Sequence, residues 1–224
     1  MSETEVALLV RAVREELGDP ESWRVPVEFP NSLALCALNS VYSLNGRSRA
    51  GANVVGRYQQ WRRDNGANPE TDSGPDLIAL MDAAGGPRAF ALDVLDARRP
   101  LARSPRLRTE GIQDGLKALQ ALSILTAEDL RRTHDENREA VRRAWMAVPG
   151  LGKRSWFYLL MNSGVEDEAK IDVMLSRYIA RALGAPARSH AHARELMKAV
   201  AEELGVKLRS LDRAIWLHES GTAQ

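Results

Sequence analysis

The sequence predicts an all-α protein of about ten helices, and three observations predict it. Apolar residues recur at three- and four-residue steps in one segment after another along the 224 residues. Glycine or proline punctuates the ends of those segments. No segment alternates apolar and polar residues strongly enough to make one face of a sheet, and no internal repeat or long low-complexity tract is present.

The elements follow in order. Val6, Leu9, Val10, Val13 and Leu17 form a first stripe that stops at Gly18 and Pro20. Asn31 or Ser32 caps a second helix carrying Leu33, Leu35, Cys36 and Leu38, and a third runs through Val54, Val55, Tyr58 and Trp61. The stretch PETDSGPD, Pro69 to Asp76, is a loop that delivers Pro75 to the first turn of a short helix ending at Gly85 and Gly86. A helix near Phe90 to Leu95 comes next, then a basic loop with Pro100 and Pro105, then a helix through Ile112, Leu116 and Leu119. Thr126 and Asp129, in TAED, have the spacing of a capping box and open the following helix. In REAVRRAWMAV, Arg138 to Val148, the residues Val141, Ala144, Trp145 and Val148 are helically spaced. Trp156 to Met161 is helical until Gly164, and Ile171, Leu175, Tyr178, Ile179 and Leu183 form a stripe ended by Gly184 and Pro186. Two last helices run through Leu196, Val200 and Leu204, and through Leu211, Ile215 and Trp216.

Length allows one substantial core or two small lobes. No apolar run approaches a bilayer span, and MSETEVALLV carries acids where a secretion signal carries bases, so the expected address is the cytoplasm, with no membrane partner. The single cysteine, Cys36, sits in an apolar run, reads as a small buried hydrophobe and excludes an internal disulfide or a cysteine-held metal site. His190 and His192 fall on different helix faces with no carboxylate to complete a set, so no metal is expected; His218 reads as packing or bonding locally. The net charge is +1, but its distribution is uneven. Arg98, Arg99, Arg103, Arg106, Arg108 and Lys117 face only Glu110 and Asp114, while Glu166, Asp167 and Glu168 gather elsewhere. That run is either a basic face or a solvated arginine-rich loop.

VPGLGKRSW, Val148 to Trp156, raises the sharpest question. A Gly-x-Gly before a helix suggests close approach to a phosphate, yet both nucleotide-binding motifs fail on spacing. A P-loop would need glycine at Ala147 and Ser or Thr at Arg154, and a dinucleotide fingerprint would need glycine at Ser155 after a strand. Gly150 and Gly152 instead join two helices. Such a turn exposes unpaired N–H groups at the positive end of the second helix, and Lys153 and Arg154 add charge there. A short turn of this kind grips a nucleic-acid backbone without reading bases; it is equally compatible with an ordinary glycine-capped interhelical turn.

VPGLGKRSW resembles the helix-hairpin-helix of the HhH-GPD superfamily, the endonuclease III-like DNA base-excision glycosylases. That family places an aspartate about twenty residues on, in a stretch such as K-P-D-x-x-V-x-R, and KIDVMLSRYI puts Lys170, Ile171, Asp172 and Arg177 in those places. PNSLALCALNSVYSLNGRSRAGANVVGRY, Pro30 to Tyr58, resembles the family's opening helix pair, and LDRAIWLHESG, Leu211 to Gly221, its terminal helix. The resemblance implies two lobes, 1–29 with 166–224 and 30–165, the hairpin at 148–155, and a substrate base entering the cleft between them.

It also implies roles. Asp172 would stabilise the positive charge that develops on the deoxyribose and orient or deprotonate the attacking water; on spacing alone it is equally a helix cap. Gly150, Gly152, Lys153, Arg154 and Ser155 would hold the DNA backbone. Arg154 stands where bifunctional members carry the lysine nucleophile, and Lys153 lies one residue early, on the side of the helix turned from the cleft, which implies a monofunctional enzyme. The family's four-cysteine iron–sulfur loop is missing, so no cluster is expected, although the family's hairpin often binds a monovalent cation through backbone carbonyls. Where many members fill the gap behind the flipped base with glutamine, this chain offers Asn39, Ser40, Tyr42 and Asn45, and no motif selects among them. Trp156 either stacks on a base or fills the core, with core favoured.

The expected function is therefore a monomeric, nucleoid-associated DNA N-glycosylase that flips a damaged or modified base out of double-stranded DNA and leaves an abasic site, for base repair or for antiphage defence. A noncatalytic helix-hairpin-helix DNA-binding module is the alternative. A third reading, a mere turn in a protein-binding protein, predicts no salt-sensitive DNA affinity.

Overall fold

A computed structural model describes residues 3–23, 28–44, 49–101, 104–165 and 171–221. Among these residues there are eleven α-helices and no strand. None of the described helices is long and apolar enough to cross a membrane. The chain divides into two compact units, Met1–Val27 with Glu166–Gln224, and Glu28–Val165.

The larger unit is built around α2 (Leu33–Tyr42). Its sequence, LALCALNSVY, is apolar on every side, as a helix in the middle of a core must be, and all its residues except Asn39 are buried. Ser32 caps it, accepting from Leu35 N at 3.3 Å. Against it pack α3 (Arg49–Asp64), α4 (Gly74–Ala83), α6 (Arg108–Gln120) and α8 (Lys153–Ser163), while α5 (Pro87–Asp93) packs on α4 and α6, and α7 (Ala127–Met146) on α6 and α8. Helix α7 carries the expected Thr126–Asp129 capping box, and it is interrupted at Asn137, whose φ of −150° and ψ of 62° are not helical. Asn137 Oδ1 accepts from Ala140 N at 3.3 Å, so it restarts the helix as a cap would.

A buried polar knot pins α2 to α3. The Asp72 carboxylate accepts from Tyr58 Oη at 2.5 Å and from Arg62 Nε and Nη2 at 2.7 and 2.6 Å. The Asp72 carbonyl accepts from Ser32 Oγ at 3.0 Å and Ala34 N at 3.2 Å, which fixes the start of α2.

One residue on, Ser73 opens α4 with a second capping box, its N and Oγ donating to Asp76 at 2.8 and 2.6 Å. The Ser73 hydroxyl, then the Ser73 backbone N–H, hold the Asp76 carboxyl below its ordinary pKa. The depressed value means that the box contributes fully above the unfolded aspartate pKa of about 3.9 and is lost as pH falls through the lower folded value. Melting curves of Ser73→Ala against pH should accordingly show a shallower acid limb than the native chain; an identical limb would remove this account of α4.

The smaller unit packs α1 (Glu3–Leu17) with α9 (Val173–Leu183), α10 (His190–Glu203) and α11 (Leu208–Glu219). Its core joins Leu9, Val10 and Val13 to Leu175, Tyr178, Ile179, Leu196, Val200, Leu211 and Ile215. Arg181 links α9 to α1 and α11 through Glu16 at 2.8 Å and Glu219 at 2.5 Å. His218 lies 3.3 Å from Glu16 and packs edge-on against Tyr178.

Candidate functional site

The hairpin is built from residues that each have one local reason to be there. Leu151 N donates to Val148 O at 3.0 Å, closing a four-residue turn. Pro149 pre-sets the first inner position of such a turn, and Gly150 supplies the positive φ, +92°, that the second requires in a type II turn. A Cβ at Gly150 would also lie 3.0 Å from Leu101 Cβ. Leu151 is buried and anchors the turn against α6, where Gly115 leaves room: a Cβ there would be 2.7 Å from Trp145 Cζ3 and 3.0 Å from Leu151 Cδ1. Trp145 Nε1 donates to Ser155 Oγ at 3.1 Å, and Ser155 Oγ donates to Gly152 O at 2.8 Å, so the end of α7 is tied to the start of α8.

Gly152 is different. It is the N-cap of α8, its backbone is extended, and a Cβ built on it meets nothing within 4 Å. No contact among the described residues requires glycine there. Serine, aspartate or asparagine would cap α8 at least as well. The first turn of α8 opens with exposed Lys153 and Arg154 and, like those of α2, α3, α5, α9, α10 and α11, contains no acid; α4, α6 and α7 carry Asp76, Glu110 and the pair Glu128 and Asp129 in theirs. Cations at the positive end of a helix oppose its dipole by about 0.3–1 kcal/mol each, so Lys153 and Arg154 do not stabilise the start of α8.

The remaining candidates are distributed as follows. Ser155 is fully buried and its hydroxyl is used within the hairpin, so only its backbone N–H stands at the helix start. Trp156 is 5 % exposed and lies in the core beside His134, 6.1 Å away between ring centroids, and its Nε1 has no hydrogen-bond partner among the described residues. Tyr42 is also wholly inside the core, its hydroxyl donating to Ala97 O at 3.3 Å. Asn39 is half-buried, with Nδ2 donating to Asn162 Oδ1 at 3.0 Å and Oδ1 accepting from Ser43 Oγ at 3.2 Å, which joins α2 to α8. Ser40 is buried and bonds back to Ala37 O. Asn45, Arg103, Glu166, Asp167, Glu168 and Lys170 lie outside the described residues. Gly152 O already accepts two hydrogen bonds, from Trp156 N and Ser155 Oγ, so a cation held by hairpin carbonyls would have to use other oxygens. Among the described residues no group of three or more His, Cys, Asp or Glu side chains could hold a metal ion.

Asp172 belongs to the smaller unit, where it caps α9. Both cap bonds fall on one oxygen, Oδ1, from Met174 N at 2.9 Å and Leu175 N at 3.2 Å. Capping therefore fixes the carboxylate's orientation. Next to it, Val173 is 66 % exposed, an unusual place for a large apolar side chain.

The basic run of α6 and the loop before it divides into two kinds of residue. Arg106 is paired with Asp114 at 2.5 Å. Arg108 is buried and donates to the carbonyls of Val41, Tyr42 and Leu44 at 2.7 to 2.9 Å, and to Pro100 O at 3.3 Å, closing the end of α2. Arg98 and Arg99 are exposed. Sequence reasoning treated these arginines alike and missed Gly111 and Gly115, whose four-residue spacing on α6 is the signal for a close seat, here for Leu101, Trp145 and Leu151.

One family model, described as Domain of unknown function (DUF8548), matches residues 7–220. No curated protein and no solved structure matches the chain.

Proposed function

We propose that this chain, which belongs to the DUF8548 family, is a monofunctional DNA N-glycosylase with a two-lobed helix-hairpin-helix architecture, acting on a modified base in duplex DNA. The observation that carries the DNA half is the start of α8: a glycine the fold does not require, followed by two exposed cations at the positive end of a helix. A phosphate can approach those N–H groups closely because no side chain stands in front of them.

The chemical half rests on Asp172. Base release leaves positive charge on the sugar, and a carboxylate already oriented by two N–H bonds stabilises it without reorganising as the charge develops. Arg154, where a lyase would carry its amine nucleophile, cannot form a Schiff base, so the product is an abasic site and the strand stays intact. The cap bonds of Asp172 also favour the second reading, a noncatalytic hairpin module, because capping alone accounts for an aspartate at this place.

Gly152 gives the test of the grip. Gly152→Asp restores a strong N-cap and adds a negative charge, so the Tm should hold or rise while affinity for every DNA sequence falls by at least about tenfold, a loss of about 1.4 kcal/mol. Gly150→Ala should weaken binding too, but with a lower Tm, since it strains the φ of +92° and crowds Leu101. Titrations of unrelated duplexes measure this. A Gly152 variant that changed base preference alone would contradict a backbone grip.

A further inference from the structure

A cleft of about 270 Å³ opens in the larger unit between the start of α3 and the segment after α5, lined by Asn53, Arg57, Asp96, Arg98 and Arg99 among others. Its walls carry three arginines against one aspartate. The segment that presents them is pinned. Arg57 Nη1 donates to Leu95 O at 2.6 Å and Asp96 O at 2.8 Å. Ala97 N donates to Ala91 O, Ala97 O accepts from the Tyr42 hydroxyl, and Arg99 O accepts from Arg108 N at 3.0 Å. The backbone on either side of Arg98 is thus held before any ligand arrives, which lowers the entropy lost on binding.

The charge at this place is not balanced. Arg98 and Arg99 form no ion pair among the described residues, and Asp96, 92 % exposed, approaches Arg57 only to 3.8 Å. Behind them Arg108 is buried against carbonyls with no carboxylate partner among the described residues. Its pKa is held below the ordinary arginine value, first by burial and then by Arg99, so the two cations repel each other. Guanidinium groups match the geometry of phosphate oxygens, and a doubly charged anion would offset the two uncompensated wall charges.

We propose that this cleft is a phosphoryl-binding site, with Arg98 and Arg99 as the principal donors and Arg57 as a fixed wall charge. None of its lining residues belongs to the hairpin, although Leu101, two residues after Arg99, packs against Gly150, and the proposal does not depend on the reading of Asp172. The phosphoryl group comes either from a nucleic-acid backbone or from free phosphate.

The test uses the full chain, the variant Arg98→Gln/Arg99→Gln, and Asp96→Asn. The Tm of each is measured as inorganic phosphate replaces chloride at constant ionic strength. Phosphate stabilises proteins generally by exclusion from their surface, and that part persists in every variant. Binding adds a saturable rise that the native chain should show, the double arginine variant should lose, and Asp96→Asn should enlarge, since Asn tolerates the left-handed φ of 44° at that position. An identical phosphate response in all three proteins would overturn the proposal. The second arm measures DNA affinity against salt. A log–log slope reduced by about 1.8 in the double variant, the value for two lost phosphate contacts, assigns the site to a DNA phosphate; an unchanged slope with a lost phosphate response assigns it to free phosphate. Should the native chain bind no DNA, the hairpin reading fails, and the first arm still decides the cleft.

Discussion

Asp172→Asn is expected to lower the rate of base release by about a hundredfold or more, the scale of removing one preorganised electrostatic group, while DNA affinity changes only a few-fold. Asparagine is the informative replacement because it caps helices as well as aspartate does. Its side-chain oxygen can take over the bonds from Met174 N and Leu175 N, so α9 keeps its start and the melting temperature should stay where it was. Asp172→Ala removes the cap as well as the charge, at about 1 kcal/mol, and should lower both rate and stability. Single-turnover rates beside melting curves separate the two contributions. If Asp172→Asn left a measured glycosylase rate intact, the residue would be a cap and no more, and the chemistry would have to be sought elsewhere.

The second large effect is on stability. Asp72→Ala should destabilise the larger unit by about 3 kcal/mol, near the lower end of the 3–5 kcal/mol typical of breaking a buried ion pair. The Asp72 side chain is only 5 % exposed, and its removal leaves Tyr58 Oη and the Arg62 guanidinium without their acceptor. Arg62 retains 17 % exposure and can turn toward water, which is why the lower end applies. Tyr58→Phe deletes one hydrogen bond and keeps the ion pair, so it should cost about 1 kcal/mol. Urea denaturation of the three proteins checks the order; an Asp72→Ala loss under about 1 kcal/mol would mean that the knot does not hold α2 to α3.

Much of the fold could be read from the chain because it is written locally. Ser32, one of the two caps the sequence offers for its helix, and Thr126 with Asp129, at capping-box spacing, act as caps, and Gly164 and Gly184 end their helices in the left-handed conformation that glycine adopts most easily. The Ser73–Asp76 box is equally local, a Ser-x-x-Asp within PETDSGPD that overlaps the Pro75 signal for a first helical turn. What escaped was non-local. Asp72 meets Tyr58 and Arg62 only once α3 has packed, and Arg108 finds the carbonyls at the end of α2 across more than sixty residues of chain. A charge count cannot distinguish an arginine that closes a helix, as Arg108 does, from exposed ones such as Arg98 and Arg99. The candidate site divides along the same line. The turn geometry of Val148 to Gly152 follows from Pro149 and Gly150, whereas the inward hydroxyl of Ser155 depends on where Trp145 ends up.

Alkali-revealed strand cleavage tests the central claim most directly, on a panel of duplex and phage-derived DNAs carrying different modified bases, with the native chain beside Asp172→Asn. Strand breaks that require alkali, arise on one class of modified base and depend on Asp172 are the predicted result. Silence across the panel with salt-sensitive DNA binding intact would contradict it and leave the hairpin as a noncatalytic grip.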